Sequence, residues 1–260
     1  MFNFSEDWLL KRKKEDDKKE MIISLEKENV PVVSVNGSFV DRRLVTVREP
    51  FSIAAEQYRV LCTRISQIVQ DRPSYIMAVT SSTKDEGKSF TSLNLAVSMA
   101  KDFDEKVLLI EGDLKNPSLH EYLKRPPGLG LSDVLEGRAD FTASSIQMFE
   151  GHLTVILAGK IPDSPSKLLS SPKMQEILNY VRGYYKYIII DTPPIIPLAD
   201  INIYSTLVDG ILLVIRAGRT PRSVVKRAMV SIRSEKIIGA VLNDVEPNYS
   251  KYYYSSKYGY

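Results

Sequence analysis

The sequence predicts an α/β protein with a mostly parallel sheet and helices on both faces. Strand-length runs rich in Ile, Val and Leu alternate with helical segments along the chain. These runs are nearly continuous in apolar residues, which is typical of strands buried on both faces. The composition, 43% apolar and 26% charged over 260 residues, is that of a globular protein with a substantial core. We expect one α/β domain.

The elements follow in order after Pro50. The first is a helix with one apolar stripe, predicted at Ala54, Tyr58, Leu61, Ile65 and Ile68 because they recur every three or four residues. Strands are predicted at 75–81, 106–113, 153–159, 186–194, 210–218 and 236–244. Helices are predicted at 88–101, 171–183 and 221–233. Residues 46–245 therefore form the predicted folded domain.

The two ends of the chain differ from this domain. Residues 1–45 include ten consecutive charged positions, 11–20, and are predicted to be a charged, flexible segment. The alternative is a docking segment, because an apolar group precedes the charged run, namely Phe2, Phe4, Trp8, Leu9 and Leu10. Residues 246–260 form a tyrosine-rich tail with six of the 14 tyrosines in the chain.

Bulk properties limit the choice of function and compartment. The net charge of +3 gives no support for a nucleic-acid partner. Cys62 is the single cysteine and cannot form an intrachain disulfide, which fits a reducing compartment. The sequence has no secretory signal and no apolar run of 18 residues. We therefore expect a cytoplasmic protein.

The stretch after the first strand resembles a phosphate-binding loop that lacks its first glycine. Ser82 stands at that position, whereas Gly87, Lys88 and Ser89 match the usual pattern. A chance Gly-Lys-Ser in a surface turn is the alternative, but the order of strand, loop and helix is the one that a phosphate site requires. The predicted nucleotide contacts are Thr83, Lys84, Asp85, Glu86, Gly87, Lys88, Ser89 and Phe90.

Acidic residues end two of the predicted strands. Glu111 and Asp113 stand at the end of the second strand, where alternation predicts that they share one face, and Asp191 ends a later one. Carboxyl ends of parallel strands meet at one edge of a sheet, where ligands bind in open α/β folds. Mg²⁺ prefers oxygen ligands, so a magnesium site is predicted there. The alternative is that these residues only cap the segments that follow.

Several blocks together resemble the bacterial tyrosine autokinases of polysaccharide synthesis. They are "EPFSIAAEQYRVL", "VLLIEGDLKNPSLHEYL", "GLSDVLEG", "IPDSPSKLLSSPKM", "IIIDTPP", "LVIRAGRT" and the tyrosine-rich tail. The resemblance runs from about Pro50 to the end of the chain. It implies a P-loop NTPase-like fold of the deviant Walker A group, in which the absence of the first glycine is expected.

The resemblance also implies cofactors and roles. ATP and Mg²⁺ would bind with Lys88 on the β- and γ-phosphates, Ser89 on the metal, and Asp113 and Asp191 holding the metal's waters. Lys88, Glu111 and Asp113 are the expected catalytic residues, with Glu111 as the base or orienter of a tyrosine hydroxyl. Asn243 is expected to contact the nucleotide base. The expected phosphate acceptors are Tyr249, Tyr252, Tyr253, Tyr254, Tyr258 and Tyr260.

The family pattern is altered at several positions. Glu111 replaces an aspartate and Lys115 an arginine in the acidic motif, while Lys84 and Asp85 replace a frequent Pro-Gly. Thr83 stands where partition and division-site ATPases carry a signature lysine. The opening helix keeps two residues tied to self-association in the family, Glu56 and Arg59, but Cys62 stands at the third position.

The expected function is an ATP-dependent tyrosine kinase that phosphorylates its own tail and regulates exopolysaccharide synthesis. The alternatives are a catalytically weak ATP-binding scaffold and a positioning ATPase similar to the partition and division-site proteins. The resemblance implies a separate membrane-embedded polysaccharide co-polymerase as activator, a cognate tyrosine phosphatase, and self-association through the tail and the opening helix. The expected location is the inner face of the membrane, through that partner.

Overall fold

A computed structural model describes residues 41, 43–197, 200–232 and 234–245. The predictions about residues 1–40 and about the tyrosine-rich tail lie outside these residues. The described part contains a seven-stranded sheet in the order β3-β4-β2-β5-β1-β6-β7. All neighbouring strands are parallel except β3, which is antiparallel to β4. The predicted fold class, a mostly parallel sheet, is confirmed.

The strands match the predicted apolar runs but are shorter at several ends. Their bounds are β1 Tyr75–Ser81, β2 Val107–Glu111, β3 Ser145–Met148, β4 Leu153–Ile156, β5 Tyr187–Asp191, β6 Gly210–Arg216 and β7 Ile237–Asn243. The antiparallel strand β3 was not predicted. Its four residues, "SIQM", are too few and too mixed to produce a clear period.

The helices lie between the strands, on both faces of the sheet. They are α1 Val45–Arg48, α2 Ile53–Val69, α3 Lys88–Asp102, α4 Leu119–Tyr122, α5 Leu131–Leu135, α6 Pro165–Leu169, α7 Pro172–Val181, α8 Asp200–Leu207 and α9 Arg222–Val230. Two short 3₁₀ helices add Phe149–Gly151 and Ser234–Lys236. None of these described helices is long and apolar enough to cross a membrane.

Two apolar clusters cover the two faces of the sheet. One packs α2 and α3 against β1 and β2, through residues such as Leu93 and Val97. The other packs α7 and α8 against the opposite face, through residues such as Ile177. Consecutive residues of β5 serve both clusters, because Ile189 faces the first and Ile188 and Ile190 face the second. Each of these fully buried side chains stabilises the fold by about 2 kcal/mol.

The apolar stripe predicted for the opening helix α2 is wrong in part. Tyr58 and Ile65 are buried as expected, but Ile68 is 46% exposed. The buried face consists of Ala55, Tyr58, Cys62, Ile65 and Val69. This set also recurs every three or four residues, so the predicted helical period is correct. Three of its five positions lie one residue later in the sequence than the predicted ones. Packing against α3 selects the face with the cysteine.

The sheet topology brings the ends of β1, β2 and β5 together. β5 lies between the other two, with Asp191 opposite both Val79 of β1 and Glu111 of β2. The loop after β1, residues 82–87, therefore lies beside the acidic ends of its neighbours. This is the edge where the predicted site was expected.

Candidate active site

The loop between β1 and α3 ends in a glycine for two physical reasons. Gly87 has a φ of 92°, in the left-handed region that glycine adopts without strain. A Cβ at this position would also lie 2.1 Å from Nδ2 of Asn243. Gly87 is therefore fixed by backbone conformation and by the close approach of β7, and it starts helix α3.

Lys88 is the centre of a small polar cluster at the start of α3. Its Nζ lies 3.2 Å from Oδ2 of Asp113 and 3.7 Å from Oδ1 of Asp191. It also donates a hydrogen bond of 3.1 Å to Oγ of Ser89. Burial disfavours the charged ammonium, but the carboxylates of Asp191 and Asp113 outweigh that effect and raise the pKa of Lys88. The structure thus brings four of the predicted residues together.

Asp191 is fully buried at the end of β5. Its Oδ1 accepts a hydrogen bond of 3.2 Å from Oγ of Ser92, whereas Oδ2 has no hydrogen-bond partner among the described residues. Burial raises the pKa of this carboxyl, and the charge of Lys88 opposes the rise. A buried carboxylate oxygen without a protein donor is rare in folded proteins. Together with Oγ of Ser89 and the carboxylate of Asp113, it makes a donor set that fits a hydrated Mg²⁺ ion.

Asp113 lies just beyond β2, and hydrogen bonds of both its side chain and its main chain fix its position. Its Oδ1 accepts a hydrogen bond of 3.1 Å from N–H of Asn116, and its own N–H donates to the carbonyl of Asp191 at 3.1 Å. Only Oδ2 faces Lys88. The chain after β2 therefore fixes one carboxylate oxygen toward the lysine.

Glu111 is placed differently from the expected base. Its side chain is buried, and Oε1 accepts from N–H of Ser118 at 2.5 Å and of Leu119 at 2.6 Å. Oε2 accepts from N–H of Ala158 at 2.9 Å. Burial raises the pKa of this carboxyl, and the three amide donors oppose the rise. The alternation that predicted one face shared with Asp113 does not extend to that residue, because β2 ends at Glu111.

Because both oxygens of Glu111 are already hydrogen-bonded to the main chain, this geometry disfavours the role of a base. The carboxylate instead joins the start of α4 to the chain after β4.

The other predicted loop residues have mixed placements. The N–H of Thr83 is hydrogen-bonded to the carboxylate of Glu86 at 3.1 Å, while the side chains of Lys84 and Asp85 are exposed. Phe90 packs edge-on against the ring of Tyr58, with centroids 6.2 Å apart, in the cluster beneath α2 and α3. A contact of Phe90 with a nucleotide would therefore involve its backbone.

The structure also places Asn243 beside the phosphate loop and the predicted pair Glu56 and Arg59 on α2. Asn243 ends β7, and its Nδ2 donates to the carbonyl oxygen of Glu86 at 3.0 Å, so this side chain lies against the loop. Glu56 pairs with Arg59 at 2.9 Å on α2, and Arg59 also lies 3.3 Å from Asp102 of α3. Self-association through these two residues stays a prediction.

Sequence reasoning missed two contacting residues. Ser92 lies one helical turn after Lys88 on α3, a spacing that could have placed it beside Asp191. Thr220 donates its hydroxyl to the carboxylate of Glu86 from the loop before α9. Thr220 and Glu86 are separated by 134 positions in the sequence, so no local pattern could have predicted this second contact.

The strand, loop and helix N-terminus around Lys88, with two aspartates facing it, define a P-loop nucleotide-binding domain. The family described as CobQ/CobB/MinD/ParA nucleotide binding domain matches residues 77–256. The tyrosine-protein kinase YwqD of Bacillus subtilis is 36% identical over 226 residues, covering 85% of this chain and 94% of YwqD. The tyrosine-protein kinase etk of Escherichia coli K12 is 31% identical over 203 residues, which cover 77% of this chain and 28% of etk. The chain belongs to the bacterial tyrosine-protein kinases of this nucleotide-binding family.

Solved structures agree with this assignment. The kinase domain of Escherichia coli ETK superposes with a TM-score of 0.74 at 30% identity, covering 84% of each chain. The chimerical protein CapA2B2 gives a TM-score of 0.72 at 25% identity, covering 86% of this chain and 97% of that one. The septum site-determining protein MinD of Pyrococcus horikoshii, solved with Mg-ADP, shares the fold alone, with a TM-score of 0.53 at 22% identity. The alternative of a positioning ATPase is not favoured, because the relatives are named as tyrosine kinases.

Proposed function

We propose that this domain transfers the γ-phosphoryl group of Mg·ATP to tyrosine hydroxyls of its own C-terminal tail. The observation that carries the proposal is the position of Lys88, between two aspartates at the N-terminus of α3. An ammonium and the free N–H groups of a helix N-terminus are suited to bind and orient phosphates.

Each residue of the cluster has a proposed role. Lys88 binds the β- and γ-phosphates, and Ser89, Asp113 and Asp191 hold Mg²⁺ directly or through its waters. When bound, the metal supplies charge neutralisation on the phosphate oxygens. Asn243 is proposed to lie near the nucleotide base, because it ends a strand next to the loop.

The proton of the acceptor tyrosine needs a carboxylate nearby, since a free tyrosine has a pKa of about 10. Glu111 was expected in that role, but its oxygens are held by three amides. We assign the orientation of the acceptor hydroxyl to Asp113, whose Oδ2 faces Lys88 at the edge of the sheet. The role of Glu111 is to fix the chain around that edge.

We propose that the acceptors are the six tail tyrosines, Tyr249, Tyr252, Tyr253, Tyr254, Tyr258 and Tyr260, and that the kinase regulates the synthesis or export of an exopolysaccharide. The names of the relatives CapB and EpsB support this setting. Similarity to the chimerical CapA2B2 supports a separate membrane-embedded activator protein, which would hold the kinase at the inner face of the membrane. A cognate tyrosine phosphatase would reverse the modification, and self-association would use the tail and α2.

Mass spectrometry of the full chain after incubation with Mg·ATP tests the proposal. We expect phosphates on the tail tyrosines of the natural protein and of Lys173→Met, a matched change of an exposed lysine on α7, outside the phosphate loop. Lys88→Met is expected to remain unmodified. An unmodified tail in the natural protein, with its membrane activator added and ATP bound, would instead support the catalytically weak scaffold.

A further inference from the structure

We propose that Glu86 is a positioning residue that holds the phosphate loop in its binding conformation, in place of the first glycine that this loop lacks. This inference rests on the proposed nucleotide site. It assigns to Glu86 no contact with the nucleotide and no part in the chemical step.

The carboxylate of Glu86 is buried inside its own loop, with the residue only 2% exposed. Oε2 accepts from N–H of Ser82 at 2.6 Å and from N–H of Thr83 at 3.1 Å. Oε1 accepts the hydroxyl hydrogen of Thr220. Hydrogen bonds to an ionised acceptor are stronger than neutral ones. The side chain therefore fixes the first turn of the loop where a glycine would otherwise allow the backbone to bend.

The main chain of the same residue is held from the other side. Its carbonyl oxygen accepts from Nδ2 of Asn243 at 3.0 Å. Gly87 and Lys88 follow immediately, so residue 86 is fixed just before the lysine that binds phosphate. Glu86 thus connects the end of β1, the start of α9 and the end of β7.

A carboxylate in a phosphate loop would repel the ligand if it faced the binding side. Here it is directed toward Ser82, Thr83 and Thr220, whereas Lys88 contacts Asp113 and Asp191 instead. Because Glu86 occupies the N–H groups of Ser82 and Thr83, phosphate must use N–H groups later in the loop. An ordered loop avoids part of the entropy loss on binding, which increases affinity.

Isothermal titration of the full chain with Mg·ATP tests this role. Glu86→Ala removes the acceptor for three donors and is expected to raise Kd about tenfold to a hundredfold. Glu86→Gln should restore affinity to within roughly threefold, because the amide oxygen can accept from both N–H groups and the amide nitrogen can donate to Thr220. Thr220→Val removes one donor and is expected to raise Kd roughly threefold to tenfold.

Asp209→Ala is the matched control. Asp209 accepts from N–H of Ile76 at 2.8 Å, at the opposite end of β1 from the loop. Its loss should lower Tm without changing Kd for Mg·ATP. Equal weakening of ATP binding by Asp209→Ala and Glu86→Ala would overturn the proposal, because it would show only a general loss of stability.

The remaining outcomes separate this inference from the proposed function. An unchanged Kd in a folded Glu86→Ala protein would overturn the positioning role and leave the kinase proposal intact. If that variant does not fold, an unchanged Kd in Thr220→Val would overturn it. Absence of ATP binding in the natural protein would contradict the proposed nucleotide site itself.

Discussion

Asn243 occupies the space that a side chain on residue 87 would need. Its Nδ2 would be 2.1 Å from a Cβ at Gly87, although the two residues are far apart along the chain. Strand β7, at the edge of the sheet, therefore determines which residue the phosphate loop can carry. The same amide also donates to the carbonyl of Glu86. The side chain of Asn243 thus joins the phosphate loop to the edge strand β7.

Gly87→Ala should abolish binding of Mg·ATP, because it combines a left-handed backbone with a clash against Asn243. The strain alone costs about 1–2 kcal/mol. Gly137→Ala is the control, since Gly137 has a φ of 74° but a Cβ there would meet its nearest atom at 3.5 Å. It should lose only the stability that the backbone strain accounts for, less than Gly87→Ala loses, and keep its affinity for ATP in the same titration. Normal ATP binding by Gly87→Ala would contradict this account of the loop.

Lys88→Met should lower the free energy of unfolding by about 3–5 kcal/mol at neutral pH, because it leaves two buried aspartates without their cation. Burial already raises the pKa of Asp191. A carboxyl whose folded pKa is raised costs stability above that pKa, and the cost disappears as pH falls through it. Urea unfolding at pH 7 and pH 5 should therefore show a smaller deficit at pH 5. A deficit that grows at the lower pH would refute this.

Glu111→Gln tests whether this carboxylate supports the chain or acts as a base. Replacing one oxygen by NH₂ leaves at least one of three amide donors unpaired, so we expect a loss of about 1–3 kcal/mol in unfolding free energy. Calorimetry gives the change in Tm, and tail phosphorylation is measured on the same samples below Tm. A variant with natural stability and no phosphorylation would show that Glu111 is the base after all.

Phe90→Leu separates core packing from nucleotide contact. The ring of Phe90 lies against Tyr58, and loss of an aromatic pair costs about 0.5–1.5 kcal/mol. We expect a lower Tm with an unchanged Kd for Mg·ATP, because the backbone of residue 90 is unaltered. A large loss of ATP affinity at unchanged Tm would place the ring in the nucleotide site.

The amino-acid sequence was sufficient to predict the alternation of strands and helices, the phosphate loop around Lys88 and the acidic strand end at Asp191. These features have local signals, either a hydrophobic period or a short motif with fixed spacing. The same signals located β1, β7 and α3 to within one residue at each end. They could not choose between two adjacent faces of α2, because both recur with the helical period.

The contacts of the polar side chains, in contrast, depend on the packing of distant segments. Glu111 accepts from Ala158, which is 47 positions away, and Glu86 accepts from Thr220, which is 134 positions away. Glu111 was expected at a tyrosine hydroxyl and Glu86 beside the nucleotide, but both carboxylates are hydrogen-bonded within the protein. A buried carboxylate must find donors, and which donors reach it depends on how distant segments pack. No local pattern carries that information.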